Sequence, residues 1–356
     1  MRYLLTGGGT AGHVNPLLAV ADAIRLDDSS AEVLALGTSE GLESRLVAER
    51  GYELLTIAKL PFPRRPNVYA IAFLPKFANA VKACRRIIRE RKIDVVVGFG
   101  GYASAPAYLA AALEHIPLVI HEANALPGLA NRLGAGIAKV IAVAFKNTPL
   151  KNAVHVGMPL RSEIEHAAAS GNRAAARKHF GLAADAPTLL VTGGSLGARH
   201  INQVIESSMH VLEAAGIQVL HIVGGDSDLA PLKEKGYVRI AYCDRMDLAI
   251  LAANFAVSRA GASTVSEFLA LGLPALYIPY AVGNGEQAKN IAEVVAAGGA
   301  ITVADRDFSR EFVANQVVAI VSNSKNLDAM AVAAKKCGNL DGTSQLLKLI
   351  KGVVSA

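Results

Sequence analysis

No uninterrupted run of about 18 apolar residues, the length a helix needs to cross a bilayer, occurs anywhere in this 356-residue chain. The basic, then apolar, then small-residue order of a secretory signal is also missing, because Arg2 leads straight into a strand pattern and a glycine loop. Cysteine is scarce: Cys84, Cys243 and Cys337 lie far apart and form no Cys-x-x-Cys pair. That spacing excludes a disulfide frame and a zinc knuckle, and it fits buried thiols in a reducing cytoplasm. Charged residues are only 19% of the chain against 52% hydrophobic. This is enough apolar material for two cores of roughly 150–180 residues each.

Positive charge is present but confined. Ten Lys and Arg residues lie between Lys59 and Lys92 against the single acid Glu90, a local charge of +9 that leaves −3 for the rest of a chain of net charge +6. One basic segment points to an anionic partner at one place and argues against a general nucleic-acid binder. Apolar residues Leu74, Phe77, Val81, Cys84 and Ile88 recur at helical spacing through this segment, predicting a helix over Pro75–Lys92 that docks that stripe on a sheet. The neighbouring Tyr69-Ala70-Ile71-Ala72-Phe73 run, flanked by cations such as Lys76, suits an anionic membrane surface.

Short apolar runs alternate with helical patterns throughout, which is the signature of parallel α/β architecture. Strands are expected at Tyr3–Thr6, Val33–Gly37, Asp94–Gly98, Leu118–His121 and Val140–Ala144. A second set is expected at Thr188–Thr192, Gln218–Val223, Val238–Ala241, Phe255–Ser258, Ala275–Ile278 and Ala300–Val303. The two sets meet near Gly157-Met158-Pro159. Leu4-Leu5-Thr6-Gly7-Gly8 and Leu190-Val191-Thr192-Gly193-Gly194 echo each other as strand, glycine turn and helix start. The pattern predicts two Rossmann-like parallel-sheet domains facing a cleft, 1–160 and 161–340, with the last helix, about 341–356, packing back on the first.

Gly7-Gly8-Gly9-Thr10-Ala11-Gly12-His13 contains G-x-G-x-x-G, but no acid ends the second strand to hold a dinucleotide ribose. The nicotinamide-oxidoreductase alternative therefore loses an anchor. His13 instead puts a titratable ring at a strand's carboxyl end, where such sheets bind ligands. Gly98-Phe99-Gly100-Gly101-Tyr102 and His121-Glu122-Ala123-Asn124 also follow strands and would surround His13, with His121 read as a core histidine. In the second half, Gly193-Gly194-Ser195-Leu196-Gly197-Ala198 can present bare amides and the Ser195 hydroxyl to phosphate. Ser258-Arg259-Ala260-Gly261-Ala262-Ser263-Thr264-Val265-Ser266-Glu267 places Glu267 where a carboxylate can accept both ribose hydroxyls. Gln287 reaches the same rim with an amide for sugar hydroxyls. Asp226-Ser-Asp228 and Asp305-Arg-Asp307 are formal Asp-x-Asp pairs, read as turn-capping aspartates with no metal.

Together the motifs GGGTAGHVNP, GFGGYASAP, HEANALPG, VGMPLR, TGGSLGAR, SRAGASTVSEF and GEQAKN resemble, in order and spacing over nearly the whole chain, the MurG family of UDP-N-acetylglucosamine transferases. The resemblance implies a GT-B fold and an inverting hexosyltransferase without cofactor or tightly bound metal. It implies transfer of GlcNAc from UDP-GlcNAc to the C4 hydroxyl of MurNAc in lipid I (undecaprenyl-diphosphate-MurNAc-pentapeptide), making lipid II for peptidoglycan. By residue, it implies donor contacts at Thr10, Gly12, His13, Asn124, Arg161, Ser195, Cys243, Met246, Ser263, Thr264, Glu267 and Gln287. Thr10, Tyr102 and Glu122 fall on the acceptor side, and His13 or Glu122 serves as general base. Tyr69, Ile71, Phe73 and Lys76 would meet an anionic membrane. The protein would be peripheral, on the cytoplasmic face of the inner membrane, without nucleic acid and within reach of a cell-wall synthesis complex. Many members carry two adjacent glutamines where this chain has Glu286-Gln287.

Overall fold

Runs such as Val95–Gly98 are apolar at every position because a parallel strand is covered on both faces by helices. The computed structural model describes residues 1–63, 67–194, 197–280 and 284–354. They form two units, Met1–Arg161 with Leu340–Ala356, and Ser162–Asn339.

In the first unit seven strands, β1 (Arg2–Thr6), β2 (Glu32–Gly37), β3 (Glu53–Thr56), β4 (Val95–Gly98), β5 (Leu118–Glu122), β6 (Val140–Val143) and β7 (Val154–His155), lie in the order β3-β2-β1-β4-β5-β6-β7. All pairs are parallel. Alternate residues face opposite cores. Leu4 and Val96 join the side covered by α3 (Val68–Glu90) and α4 (Ser104–Leu113), while Tyr3, Leu5, Val95 and Val97 face α1 (Ala11–Asp27). The helix Gly342–Val354 sits on that second side, burying Leu346 and Ile350. Its Thr343 hydroxyl exchanges hydrogen bonds with the Leu160 backbone at 3.2 Å, and Lys351 Nζ reaches Asp27 at 2.6 Å.

The second unit repeats the plan with β8 (Thr188–Thr192), β9 (Gln218–Ile222), β10 (Leu232–Glu234), β11 (Tyr237–Ile240), β12 (Phe255–Ser258), β13 (Ala275–Tyr277) and β14 (Ala300–Thr302), ordered β10-β11-β9-β8-β12-β13-β14. Only the β10–β11 hairpin among the described pairs is antiparallel. In each sheet the winding reverses beside the first strand, between β1 and β4 and between β8 and β12. Loops leaving the carboxyl ends of such a pair diverge to opposite faces and leave a ligand crevice. Thr6 stands opposite Gly98, and Thr192 opposite Ser258, so the two turns at each reversal start level.

Three strands were not visible in the sequence pattern: β3, β7 and β10. All lie at or near a sheet edge, where one face is wet and the apolar signal fades. The helix predicted from Pro75 begins seven residues earlier, at Val68, capped by Asn67, whose side chain accepts from the Ala70 amide at 3.0 Å. Pro75 lies inside it, so the Ile71 carbonyl has no amide four residues on. The buried stripe also differs from the expected one. Leu74 is 71% exposed, and Phe73, 7% exposed, takes the inward place by packing with Phe62 and Phe77 at ring separations of 5.4 and 5.5 Å.

Candidate active site

The first glycine turn leaves β1 at the reversal point of the first sheet and feeds α1. His13, in its first turn, places Nδ1 3.1 Å from the Gly8 carbonyl and 3.3 Å from Thr10 Oγ1. A carbonyl only accepts, so the Gly8 contact calls for a proton on Nδ1, and in the neutral ring the lone pair then sits on Nε2. Nε2 faces the turn after β4: a β-carbon on Gly100 would lie 3.2 Å from it. Gly101 presses still closer. Its φ is +91°, and a β-carbon there would lie 2.5 Å from the Gly8 oxygen, so only glycine fits. Ser104 Oγ donates to the Gly100 carbonyl at 2.7 Å and fixes this second turn. Tyr102 follows it, with an exposed ring.

Glu122 ends β5, buried, and both its oxygens are engaged. Oε1 accepts from the Asn124 amide at 2.8 Å and Asn124 Nδ2 at 3.4 Å; Oε2 accepts from the Gly128 amide at 3.0 Å and Asn131 Nδ2 at 2.9 Å. Asn131 is in turn held by the Tyr108 hydroxyl at 2.7 Å. The carboxylate thus shapes the loop carrying Asn124. His121, the residue before it, lies in the core: Nε2 is 3.0 Å from the Gly157 carbonyl, and burial lowers its pKa to about 4. Arg161 ends the N-terminal segment of the first unit.

In the second unit Ser195 and Leu196 lie outside the described residues. The turn after β12 is fully described. Gly261 precedes the helix Ala262–Leu271 and supplies no side-chain cap, so the first amides of that helix have no capping side chain among the described residues. The buried Ser263 Oγ has no hydrogen-bond partner among the described residues. A hydroxyl and orphan amides at the positive end of a helix suit an anionic oxygen. Glu267 follows one turn on and is buried, and Thr264 lies between them. Gln287, on the helix Glu286–Asn290, accepts through Oε1 from the Tyr280 amide at 2.9 Å and the Ala260 amide at 3.2 Å. Its amide nitrogen is the part left to donate. Asn290 Nδ2 bonds the Ala260 carbonyl at 3.1 Å, so this short helix braces the β12 turn from both sides. Cys243 is buried beyond the end of β11, and Met246 opens the helix Met246–Ala252.

The structure therefore brings His13 together with Thr10 and the Gly100 turn, Glu122 with Asn124, and Gln287 with the turn before Ser263. It moves Phe73 from the expected membrane surface into the core. Tyr69 is half-buried, its hydroxyl donating to the Pro61 carbonyl at 2.6 Å, while Ile71 is 77% exposed and Lys76 is exposed. Sequence reasoning missed Glu43, which is buried beneath the first glycine turn, and Arg259, which anchors the β12 turn to Asp305 at 2.6 Å. Glu43 lies outside every quoted motif, and Arg259, although within Ser258–Glu267, carries no sign in the sequence of the partner it finds. Asp305 was visible only as half of an Asp-x-Asp pair, and its partner lies 46 residues upstream.

Two family models cover most of the chain: the glycosyltransferase family 28 N-terminal domain matches residues 3–143, and the family 28 C-terminal domain matches 188–346. Proteins named UDP-N-acetylglucosamine–N-acetylmuramyl-(pentapeptide) pyrophosphoryl-undecaprenol N-acetylglucosamine transferase from Clavibacter sepedonicus and from Leifsonia xyli are each 55% identical to it. The alignment covers 99% of this chain with 97% of the first and 99% of the second. The crystal structure of Acinetobacter baumannii MurG superposes with a TM-score of 0.78 at 29% identity, over 99% of both chains.

The chain belongs to the MurG family. The N-terminal match lies within the first unit, and the C-terminal match covers most of the second and runs on into the start of the helix Gly342–Val354, which belongs to the first. Membership accounts for two Rossmann-like sheets in one chain with the GT-B plan.

Proposed function

We infer that this chain transfers N-acetylglucosamine from UDP-GlcNAc to the muramyl sugar of pyrophosphoryl-undecaprenol-linked MurNAc-pentapeptide. The observation that carries the chemistry is the His13 ring, whose Nδ1–H is held by the Gly8 carbonyl and whose Nε2 is left to accept a proton. In the reaction the MurNAc C4 oxygen bonds to the anomeric carbon as the bond from that carbon to the UDP phosphate oxygen breaks, inverting the centre. The hydroxyl proton passes to His13 Nε2. Glu122 is the poorer base because four donors already occupy its carboxylate.

Most of the groups for the UDP part of the donor lie in the second unit. Amides at the start of Ala262–Leu271, the Ser263 hydroxyl, Ser195 and Arg161 meet the departing diphosphate in place of a metal ion. Thr264 adds an amide, Glu267 takes the ribose hydroxyls, and the Gln287 amide nitrogen meets the sugar. Main chain near Cys243 and Met246 meets uracil, while Thr10, Gly12, Tyr102 and Asn124 line the acceptor and sugar side. The chain works as a peripheral protein on an anionic cytoplasmic membrane face, near other cell-wall enzymes, through Ile71, Leu74, Lys76 and the basic residues of α3.

Release of UDP from UDP-GlcNAc in the presence of a lipid I analogue tests the reading. His13→Ala is expected to slow turnover about a hundredfold or more with UDP affinity by calorimetry nearly intact. Normal turnover in that variant removes His13 from the role. The same assay in excess EDTA tests the metal-free departure, and loss of turnover there overturns it.

A further inference from the structure

Glu43 is the first residue of α2 (Glu43–Glu49), far from every motif above, yet only 1% of its surface is exposed. Its carboxylate accepts from the Gly9 amide at 2.8 Å, the Thr38 amide at 2.9 Å and the Thr38 hydroxyl at 2.7 Å. Burial alone would raise its pKa. Those bonds outweigh burial, and the carboxyl is held below its usual value. No Lys, Arg or His pairs with it among the described residues, so a charge sits under the turn on hydrogen bonds alone. The chain makes room for it deliberately: a β-carbon on Gly8, Gly37 or Gly41 would collide with the Glu43 side chain. Three glycines from two separate turns thus form one cradle.

The cradle has a direct consequence for the base. Gly9 is held at φ +87° with its amide turned down to Glu43. Turning that amide inward fixes the peptide plane shared with Gly8, and hence the direction of the Gly8 carbonyl, which is the acceptor 3.1 Å from His13 Nδ1. The carboxylate, the peptide and the imidazole form a continuous chain of contacts.

We propose that Glu43 is a positioning residue for the transfer reaction: it sets the Gly8–Gly9 peptide so that the Gly8 carbonyl keeps His13 protonated on Nδ1 and its Nε2 free as acceptor. The proposal rests on the reading of His13 as the base. It also assigns the negative charge of Glu43 a second effect, since a nearby anion favours the imidazolium that forms when the proton arrives.

Glu43→Gln keeps the size of the side chain and removes its charge and one acceptor. Its kcat is expected to fall about tenfold to a hundredfold, as for a small misplacement of a catalytic group. Its KM for UDP-GlcNAc should change less than about threefold, because the groups proposed for the ribose and uracil, and all but Arg161 of those proposed for the diphosphate, lie in the second unit. The limb of the pH–kcat profile set by the base should also shift to lower pH than in the wild type, because the anion that favours the imidazolium is gone. A kcat within twofold of wild type together with an unchanged profile overturns the proposal. Should Glu43→Gln fail to fold, the wild-type protein answers the question by itself. Nitrogen-15 shifts of the His13 ring, assigned against His13→Gln, are expected to show the Nδ1–H tautomer, and the Nε2–H tautomer overturns the proposal. His13→Ala run alongside separates the two claims. If it retains turnover, the base reading fails whatever Glu43 does. If it loses turnover while Glu43→Gln does not, the positioning role alone fails.

Discussion

Asp305 and Arg259 form an ion pair at 2.6 Å that ties the 3₁₀ turn Asp305–Asp307 to the end of β12. Arg259 Nη1 also donates to the Ile278 carbonyl at 3.1 Å, and His200 of the helix Arg199–Ser207 stands 3.5 Å from the same carboxylate. The pair thus ties together the turn that carries Ser263, the end of the next strand through Arg259, and through Asp305 the helix that follows the glycine turn after β8. Arg259 lowers the Asp305 pKa against the opposing effect of burial.

Removing that charge should loosen the donor half and leave the other unit alone. Asp305→Asn is expected to destabilise the second unit by about 1–3 kcal/mol and to weaken UDP binding about tenfold. Calorimetric titration with UDP checks it; an affinity equal to wild type would show that the pair does not steady the β12 turn.

Gly101 cannot take a side chain without moving the first glycine turn. Gly101→Ala adds a left-handed backbone strain of about 1–3 kcal/mol to the collision with the Gly8 oxygen. Turnover is expected to drop at least about tenfold while UDP affinity in the second unit stays within twofold. A variant as active as wild type would mean that the two glycine turns need not touch.

Two buried histidines, one in each unit, make the protein sensitive to mild acid. Burial lowers His121 to about 4; burial, and then the Arg239 charge, lowers His221 to about 3. Unfolded, both titrate near 6.5, so below that pH the unfolded chain binds protons the folded one refuses. Stability is complete above about 6.5 and falls as pH drops toward the folded values, by about 2 kcal/mol per histidine at pH 5. The melting temperature is expected to drop by about 4–8 °C between pH 7 and pH 5. His221→Gln should flatten the second unit's share of that slope. A melting temperature constant across the range contradicts this.

The exposed side chains of α3 can be told apart from the buried ones by charge. Ile71→Glu with Leu74→Glu is expected to leave the melting temperature within about 2 °C of wild type, since both side chains are exposed. The same pair of changes should abolish sedimentation with vesicles rich in anionic lipid. Phe73→Ala should do the reverse, destabilising by about 3 kcal/mol with vesicle binding retained in the folded fraction. Undiminished vesicle binding by the double glutamate variant would remove this face from the membrane contact.

The alternation of apolar runs and glycine turns determined the α/β class, two parallel-sheet halves and the position of nearly every central strand. It did so because a strand covered on both faces must be apolar at each residue, and because a turn at a strand's carboxyl end demands small residues. His13, Ser263, Glu267 and Gln287 were legible for the same reason: each lies within a few residues of such a turn. Contacts between segments distant in sequence were decided only by tertiary structure. Phe73 rather than Leu74 turned inward because Phe62 and Phe77 packed against it. Glu122 became a loop brace because Asn131 and Gly128 came within reach of its free oxygen, and Glu43 came to lie under a turn 34 residues away. Local spacing records periodicity and backbone freedom. Which carboxylate finds which amide depends on strand order, and that order emerges only when the sheet assembles.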